Sequence, residues 1–420
     1  MMLMVMNILI FAAGLLTYLG YGLPGFLYLA GAILISWIAA KLTPKYKWAM
    51  WISVGLNALM LVMIKLEPYT ALGILAPMGI SYFALRIISY NVDVYRQKIQ
   101  PEQNLFHYVL YVTYLPTMFL GPIERYDPMR FRRREPSWER FWMGAARILW
   151  GAFKKLVIAA RIGVITSAIA GDTQKYSGLF ALCAMLLYSV QLYADFSGGI
   201  DMVLGISGVL GIPLSENFDV PYFSESFQEF WRRWHMTLGS WLKEYVYIPL
   251  GGNRKGKLRK VLNLVITFLV SGLWHGAHYL LWGALNGLFV ACGEKLKTKW
   301  KTLNRVLVFL AVSLLWSFFV WPDTLTALKM VLSVFTQFNA AAFAAGIGGL
   351  GLTGGDWIVL AIAALVLWCC DLFRKQLTVW YASLPAAGKT ALVCGMGLLV
   401  LVFGMYGIGF DAQAFIYSSF

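Results

Sequence analysis

Apolar runs long enough, or nearly long enough, to cross a bilayer recur from one end of this chain to the other. They cover about Leu3–Tyr21, Gly25–Ala40, Trp48–Ile64, Tyr69–Tyr90, Gly178–Ala194, Val261–Trp274, Tyr279–Ala291, Val306–Val320, Trp357–Cys370 and Ala391–Ile408. Hydrocarbon offers no partner to a free N–H or C=O, so each run must close its hydrogen bonds within itself as a helix. Only 13% of the 420 residues are charged and 60% are hydrophobic, against about 25% charged in soluble domains. The chain is therefore expected to be an all-α polytopic membrane protein with 10–12 transmembrane helices, resident in a cell membrane and bounded by lipid. The opening run has no basic residue before Lys41 and reads as a retained helix, not a cleaved leader.

The net charge of +15 gathers in short loops, the mark of membrane orientation and no argument for nucleic acid. Arg125–Arg140, Arg254–Lys260 and Lys295–Arg305 are all expected on the cytoplasmic side. If the last two share a side, Val261–Ala291 must be a hairpin with His275 and His278 near its turn. His275 lies 15 residues past Lys260 (275 − 260). That is about 22 Å of helix, less than the hydrocarbon thickness, so the histidine is expected deep in the membrane.

No linker, repeat or low-complexity tract divides the chain, so residues 1–420 read as one domain. Regular spans nonetheless fail in the middle. Phe106–Pro122 holds Thr113, Pro116 and Gly121 between basic flanks, which suits a re-entrant or tilted segment. Phe141–Ala170 and Phe227–Leu250 carry too many charges for lipid contact. Such segments survive at membrane depth only when buried in protein or lining water, so the centre is expected to form a funnel enclosed by the outer helices.

Three of the four histidines, His235, His275 and His278, fall in this central region, and ionisable groups at membrane depth are costly and usually functional. Imidazole is suited to removing a proton from a hydroxyl near neutral pH. His275 is the candidate base, and His235 is a second histidine expected to be buried. His107 and His278 read as structural. Asp195 and Asp201 occupy what reads as a glycine-rich break, Asp195-Phe196-Ser197-Gly198-Gly199, with Arg232 or Arg233 as expected partners, because buried carboxylates need them. Trp234, Trp241 and Trp274 flank the polar cluster and are expected along the path that leads to it. The loop Leu250–Lys257, with Asn253 and Arg254, lacks phosphate-loop spacing. It is either a positive-inside anchor or an electrostatic lure for a phosphate-bearing donor. The five cysteines lie in apolar runs without metal-ligand spacing, so neither a disulfide nor a metal site is expected.

Read in order, Gly79-Ile80-Ser81-Tyr82-Phe83, Gly121-Pro122-Ile123-Glu124-Arg125-Tyr126, Gln191 to Asp201, Glu216 to Tyr222, Phe230-Trp231-Arg232-Arg233-Trp234-His235, Trp241 to Arg254 and Gly272-Leu273-Trp274-His275-Gly276-Ala277 resemble the membrane-bound O-acyltransferase family. The likeness covers about residues 77–291 and is strongest to the bacterial branch typified by the alginate O-acetylation membrane protein. The D-alanyl transfer protein of teichoic acid modification is a more distant relative. Gly199-Ile200 and Lys243-Glu244 stand where the family pattern has Tyr-Ser/Thr and Arg-Asp, and Lys cannot make the bidentate contacts of Arg.

The resemblance implies an acyltransferase with His275 as its catalytic histidine and His235 at the second polar position. Asp195, Asp201, Arg232, Arg233, Trp234, Trp241, Lys243, Asn253, Arg254 and Trp274 then shape the cavity or bind donor. It implies an acyl group taken from a cytoplasmic thioester, acetyl-CoA or an acyl carrier protein, toward an extracytoplasmic polysaccharide or cell-wall polymer. No bound cofactor is implied, and the setting is the inner membrane of a bacterium. The sequence has no Gly-x-Ser-x-Gly elbow, so an extracytoplasmic serine-esterase-like transferase of the SGNH type is expected as partner. D-alanyl transfer from a carrier protein, a multi-pass transporter with intramembrane ionisable groups and a scaffold for polymer export stand as competing readings.

Overall fold

In a computed structural model of the chain, residues 2–20, 22–70, 79–127, 137–293 and 297–406 are described, the side chains of 2–6 and 67–70 excepted. The described residues form helices joined by turns, with one isolated antiparallel bridge between Phe218 and Trp234. The chain opens with α1 (Met2–Gly20), α2 (Leu23–Leu42) and α3 (Trp48–Thr70), followed by α4 (Ile80–Tyr95) and the short α5 (Leu105–Val112). The apolar run Tyr69–Tyr90 is thus no single described span: it covers the end of α3, residues 71–78 outside the described part, and the start of α4. Most of Arg125–Arg140 likewise lies outside it.

The segment Phe106–Pro122 forms no helix of spanning length. α5 spans only about 12 Å, and a tight turn at Leu115–Thr117 follows. Arg86, on α4 and 1% exposed, anchors the turn by donating to the main-chain oxygens of Val112 (3.2 Å) and Thr117 (2.6 Å).

Next come α6 (Trp138–Ala152), a π-helical stretch Phe153–Ala159 and α7 (Ala160–Gly171), then α8 (Leu179–Val209). α8 corrects the expected break at Asp195–Gly199. The helix is continuous for 31 residues, and its glycines serve close packing. A Cβ on Gly198 would meet the Gly151 carbonyl oxygen at 2.7 Å, and one on Gly205 the Gly144 carbonyl oxygen at 2.7 Å. Two small residues on each helix let the α6 and α8 backbones touch, as in tightly packed membrane helices. The charges of Phe141–Ala170 all turn inward: Arg147 and Lys154 to Asp201, Lys155 to Asp195, and Arg161 to Asp356.

Past α8 the chain makes α9 (Phe227–Arg233) and α10 (Met236–Leu242), the latter running into a π-helical turn over 243–247. The hairpin of α11 (Gly256–His275) and α12 (Leu280–Cys292) follows as expected. The remainder is α13 (Lys301–Leu315), α14 (Ser317–Val320), α15 (Thr324–Thr336), α16 (Ala340–Gly346), α17 (Gly354–Leu372), α18 (Arg374–Ser383) and α19 (Ala386–Phe403). Among the described residues, six helices are individually long and apolar enough to cross a membrane: α2, α3, α8, α13 together with α14, α17 and α19. One further pair among the described residues, α15 with 340–349, would make a seventh span if taken together and is bent by 117°. The expected span Tyr279–Ala291 falls in a shorter apolar helix, Ala277–Cys292, and Val261–Trp274 in α11, which opens on the basic residues Lys257, Arg259 and Lys260.

Two aromatic-rich cores result. One gathers α1–α5 with Leu238, Trp241 and Trp274. The other gathers α7, α8 and α12–α15 with Phe230, Trp234 and Trp282. The central histidines lie along the seam between them.

Candidate active site

His275 is the last residue of α11. The helix stops there because Gly276 takes φ 151° and ψ 159°, a conformation open to glycine and strained for other residues. The ring is 5% exposed and boxed by aromatic edges: Trp274 at 4.7 Å between centroids, Phe319 at 5.5 Å, Trp282 at 5.6 Å and Tyr279 at 6.0 Å. An imidazole so enclosed is fixed in direction, and its open side is toward a cavity.

His235 is placed by a different device. It caps α10 in the left-handed region, φ 44° and ψ 54°, an uncommon conformation for a residue with a Cβ. The short pairing between 217–219 and 233–236 maintains it. The Asp219 N–H donates to the Arg233 carbonyl at 3.0 Å and the Met236 N–H to the Asn217 carbonyl at 3.0 Å. The Asn217 side-chain oxygen accepts from the Thr237 amide (3.0 Å) and hydroxyl (2.7 Å) and lies 3.4 Å from His235 Nδ1. Backbone strain held by surrounding contacts is a frequent mark of a functional position. The His235 ring stands edge-on to Phe196 at 4.9 Å.

Both histidines open on one cavity of about 580 Å³, within the range of small-molecule sites. Trp234, Trp282 and Trp316 form part of its apolar wall, while Arg232, Lys243 and Lys260 contribute cationic groups. Arg232 and Lys243 are exposed and Lys260 half-buried. Lys260 begins the climb of α11 toward His275, so the cavity joins a basic surface to a deep imidazole.

Of the residues singled out in the sequence, His235, His275, Arg232, Trp234 and Lys243 line this cavity. The others fall elsewhere. Trp241 Nε1 donates to the Leu85 carbonyl at 2.9 Å and Trp274 Nε1 to the Ser81 carbonyl at 3.1 Å. Those indoles turn toward α4, so of the three tryptophans expected along the path to the polar cluster Trp234 lines the cavity and Trp241 and Trp274 do not. Arg233 pairs with Glu229 one helical turn away at 2.6 Å. The expected pairing of Arg232 or Arg233 with the aspartates is also corrected. Lys155 meets Asp195 at 2.5 Å, and Asp201 is held by Lys154 at 2.6 Å and Arg147 at 2.9 Å. Their partners lie on the adjacent, antiparallel α6 segment because its glycine contacts bring it closer than α9 can come. Asn253 and Arg254 are exposed at the surface. His278 is half-buried at the hairpin turn and His107 exposed. Asn217 and Thr237 flank His235 in the sequence motifs, but nothing in their spacing signals that they position it.

Among the described residues no group of three or more His, Cys, Asp or Glu side chains could hold a metal ion. All five cysteines are free thiols.

A helical membrane protein with a histidine-lined cavity at its centre defines the class, and residues 33–337 match the model of the membrane-bound O-acyltransferase family; the chain belongs to that family. It is similar to the probable alginate O-acetylase of Pseudomonas fluorescens, 36% identical with 76% of this chain and 65% of the relative covered. The peptidoglycan O-acetyltransferase of Helicobacter pylori is 33% identical over 63% of this chain and 57% of its own length. The teichoic acid D-alanyltransferase of Streptococcus thermophilus is 28% identical over 62% and 67%. For three Pseudomonas relatives the matched region spans 65%, 52% and 60% of their length.

Proposed function

We propose that this chain is an O-acyltransferase, most simply an O-acetyltransferase, that takes an acyl group from a cytoplasmic thioester and passes it toward an extracytoplasmic polysaccharide or cell-wall polymer in the inner membrane of a bacterium. The single observation that carries the reading is that His275 and His235, from separate elements, face one cavity whose lining includes three cationic side chains.

In the proposed step His275 takes the proton of the attacking hydroxyl as the new C–O bond forms. The C–S bond of the thioester then breaks and the thiolate leaves. His235, fixed by its left-handed backbone and the Asn217–Thr237 contacts, orients the reacting carbonyl or the base. The aromatic walls keep water from competing for the acyl group. Arg232, Lys243 and Lys260 suit a phosphate-bearing donor, either acetyl-CoA or the phosphopantetheine arm of an acyl carrier protein. A folded polymer cannot enter a cavity this small, so an extracytoplasmic serine-esterase-like partner is proposed to receive the acyl group on its hydroxyl and deliver it.

Family membership and the similarity to the alginate O-acetylase and the peptidoglycan O-acetyltransferase support this reading. The D-alanyltransferase relatives support carrier-dependent D-alanyl transfer as the alternative. The test is purified protein in proteoliposomes, supplied on the basic side with radiolabelled acetyl-CoA, acetyl-carrier or D-alanyl-carrier. Consumption of an acetyl thioester that vanishes in His275→Ala is the expected result. Turnover of the D-alanyl carrier alone would establish the alternative, and no turnover of any donor would overturn both.

A further inference from the structure

A second cavity, of about 550 Å³, lies beside the first. Trp234 of the histidine cavity packs against Phe218 (5.1 Å between centroids) and Tyr193 (6.3 Å), and those two rings line the second space. One aromatic layer thus separates the two. The outer wall is made by α17 and α19, helices that are mostly exposed. Val366 and Leu399, at 38% and 49% exposure, stand at its edge and continue into surfaces made for lipid.

The floor is different in kind. Lys154, Arg147 and Arg374 face Asp201, Glu216 and Asp371 around it. Arg147 joins Asp201 at 2.9 Å and Glu216 at 2.6 Å, and Arg374 reaches Glu216 at 3.7 Å. Asp371 accepts from the Tyr193 hydroxyl at 2.9 Å. The rim is the short α18, tied to α6 by the Tyr381 hydroxyl donating to the Trp142 carbonyl at 2.8 Å. It carries Trp380 and Thr378 at the lining, the composition of a segment at headgroup level.

We propose that this cavity is a binding site for a zwitterionic phospholipid with a primary-amine headgroup, of the phosphatidylethanolamine type. The apolar wall takes an acyl chain entering from the bilayer. Three cations and three anions around the floor make a charge-balanced surface, which disfavours a headgroup of net charge and suits one carrying both signs. Its phosphate faces Arg374 and Arg147. Its ammonium donates hydrogen bonds to Glu216 or Asp371, which a quaternary choline cannot do. The site is distinct from the histidine cavity and does not depend on the proposed reaction.

The test is native mass spectrometry of the full chain released from bilayers holding equal amounts of ethanolamine, choline and glycerol phospholipids. Ethanolamine lipid is expected to be retained about tenfold over either of the others, roughly 1.4 kcal/mol of preference. Met396→Trp, which fills the cavity from α19, should abolish that retention. Asp371→Asn should weaken it about tenfold. The wild-type competition needs no variant to be decisive. Preference for the glycerol or choline lipid, or no retained lipid, overturns the proposal. So does undiminished retention in a Met396→Trp protein that melts like wild type.

Discussion

His235 and His275 stand edge-on to opposite company but share Trp274, whose ring lies 6.1 Å from His235 and 4.7 Å from His275. Trp274 belongs to the core built on the first helices. The other neighbours, Phe196 of His235 and Trp282 of His275, belong to the second core. The histidine pair is thus held by both halves of the molecule at once, so neither ring can shift without disturbing packing on one side.

His275→Ala is expected to lower acyl transfer by about 100-fold to 10,000-fold, the usual cost of losing a general base, while leaving the protein monodisperse in detergent. Thioester turnover on well-folded protein reads this directly, and near-normal turnover would remove His275 from the chemistry.

For His235 the substitution itself discriminates between roles. Asparagine tolerates left-handed backbone better than alanine does, so His235→Asn should retain more thermal stability than His235→Ala while both lose turnover. If His235→Asn restored full turnover, the position would serve backbone geometry only. Asn217→Ala should lower kcat through misorientation of His235, with little change in KM for donor.

The contact of α6 with α8 tolerates no side chain. A Cβ on Gly151 would come within 2.8 Å of Met202 Cγ, so Gly151→Val should cost at least about 1–3 kcal/mol through overpacking. Gly31 on α2, with nothing within 4 Å of its Cβ direction, is the control, and Gly31→Val should melt close to wild type. Equal melting of the two variants would show that the close approach does not exist.

Asp201→Ala leaves Lys154 and Arg147 without their shared carboxylate. Lys154 keeps the Ser197 hydroxyl at 2.8 Å and the faces of Trp150 and Tyr193, each at 5.9 Å, and Arg147 keeps Glu216. Destabilisation of about 3 kcal/mol is expected, as for a broken buried pair. The KM for the acyl donor should not move, because Asp201 lies outside the histidine cavity. A raised donor KM at unchanged stability would place this carboxylate in donor binding instead.

The α11–α12 hairpin returns the chain to the side it left. In a cysteine-free background, Lys257→Cys and Lys299→Cys should both resist an impermeant thiol reagent in intact cells and react after lysis, consistent with basic loops on the cytoplasmic side. Labelling of one position but not the other in intact cells would contradict the hairpin.

Much of this was legible in the amino-acid sequence. Long apolar runs dictate helices because lipid leaves the backbone no other partner. The basic flanks of Val261–Ala291 point to a hairpin with His275 buried near its turn, and the ordered motifs carry the family. Pairing was beyond reach. The sequence shows that Asp195 and Asp201 need cations, but Arg147, Lys154 and Lys155 win over Arg232 and Arg233 because glycines on α6 and α8 bring those helices into contact, a relation between surfaces with no trace in local spacing. The same limit applies to the tryptophans, which look equivalent in the chain. Trp234 lines the cavity while Trp241 and Trp274 reach carbonyls of α4, because indole N–H groups in a dry interior must find an acceptor wherever the packed helices leave one. Helix and depth follow from solvent and period, which are local; the identity of each buried partner follows from which faces meet, and only the tertiary structure decides that.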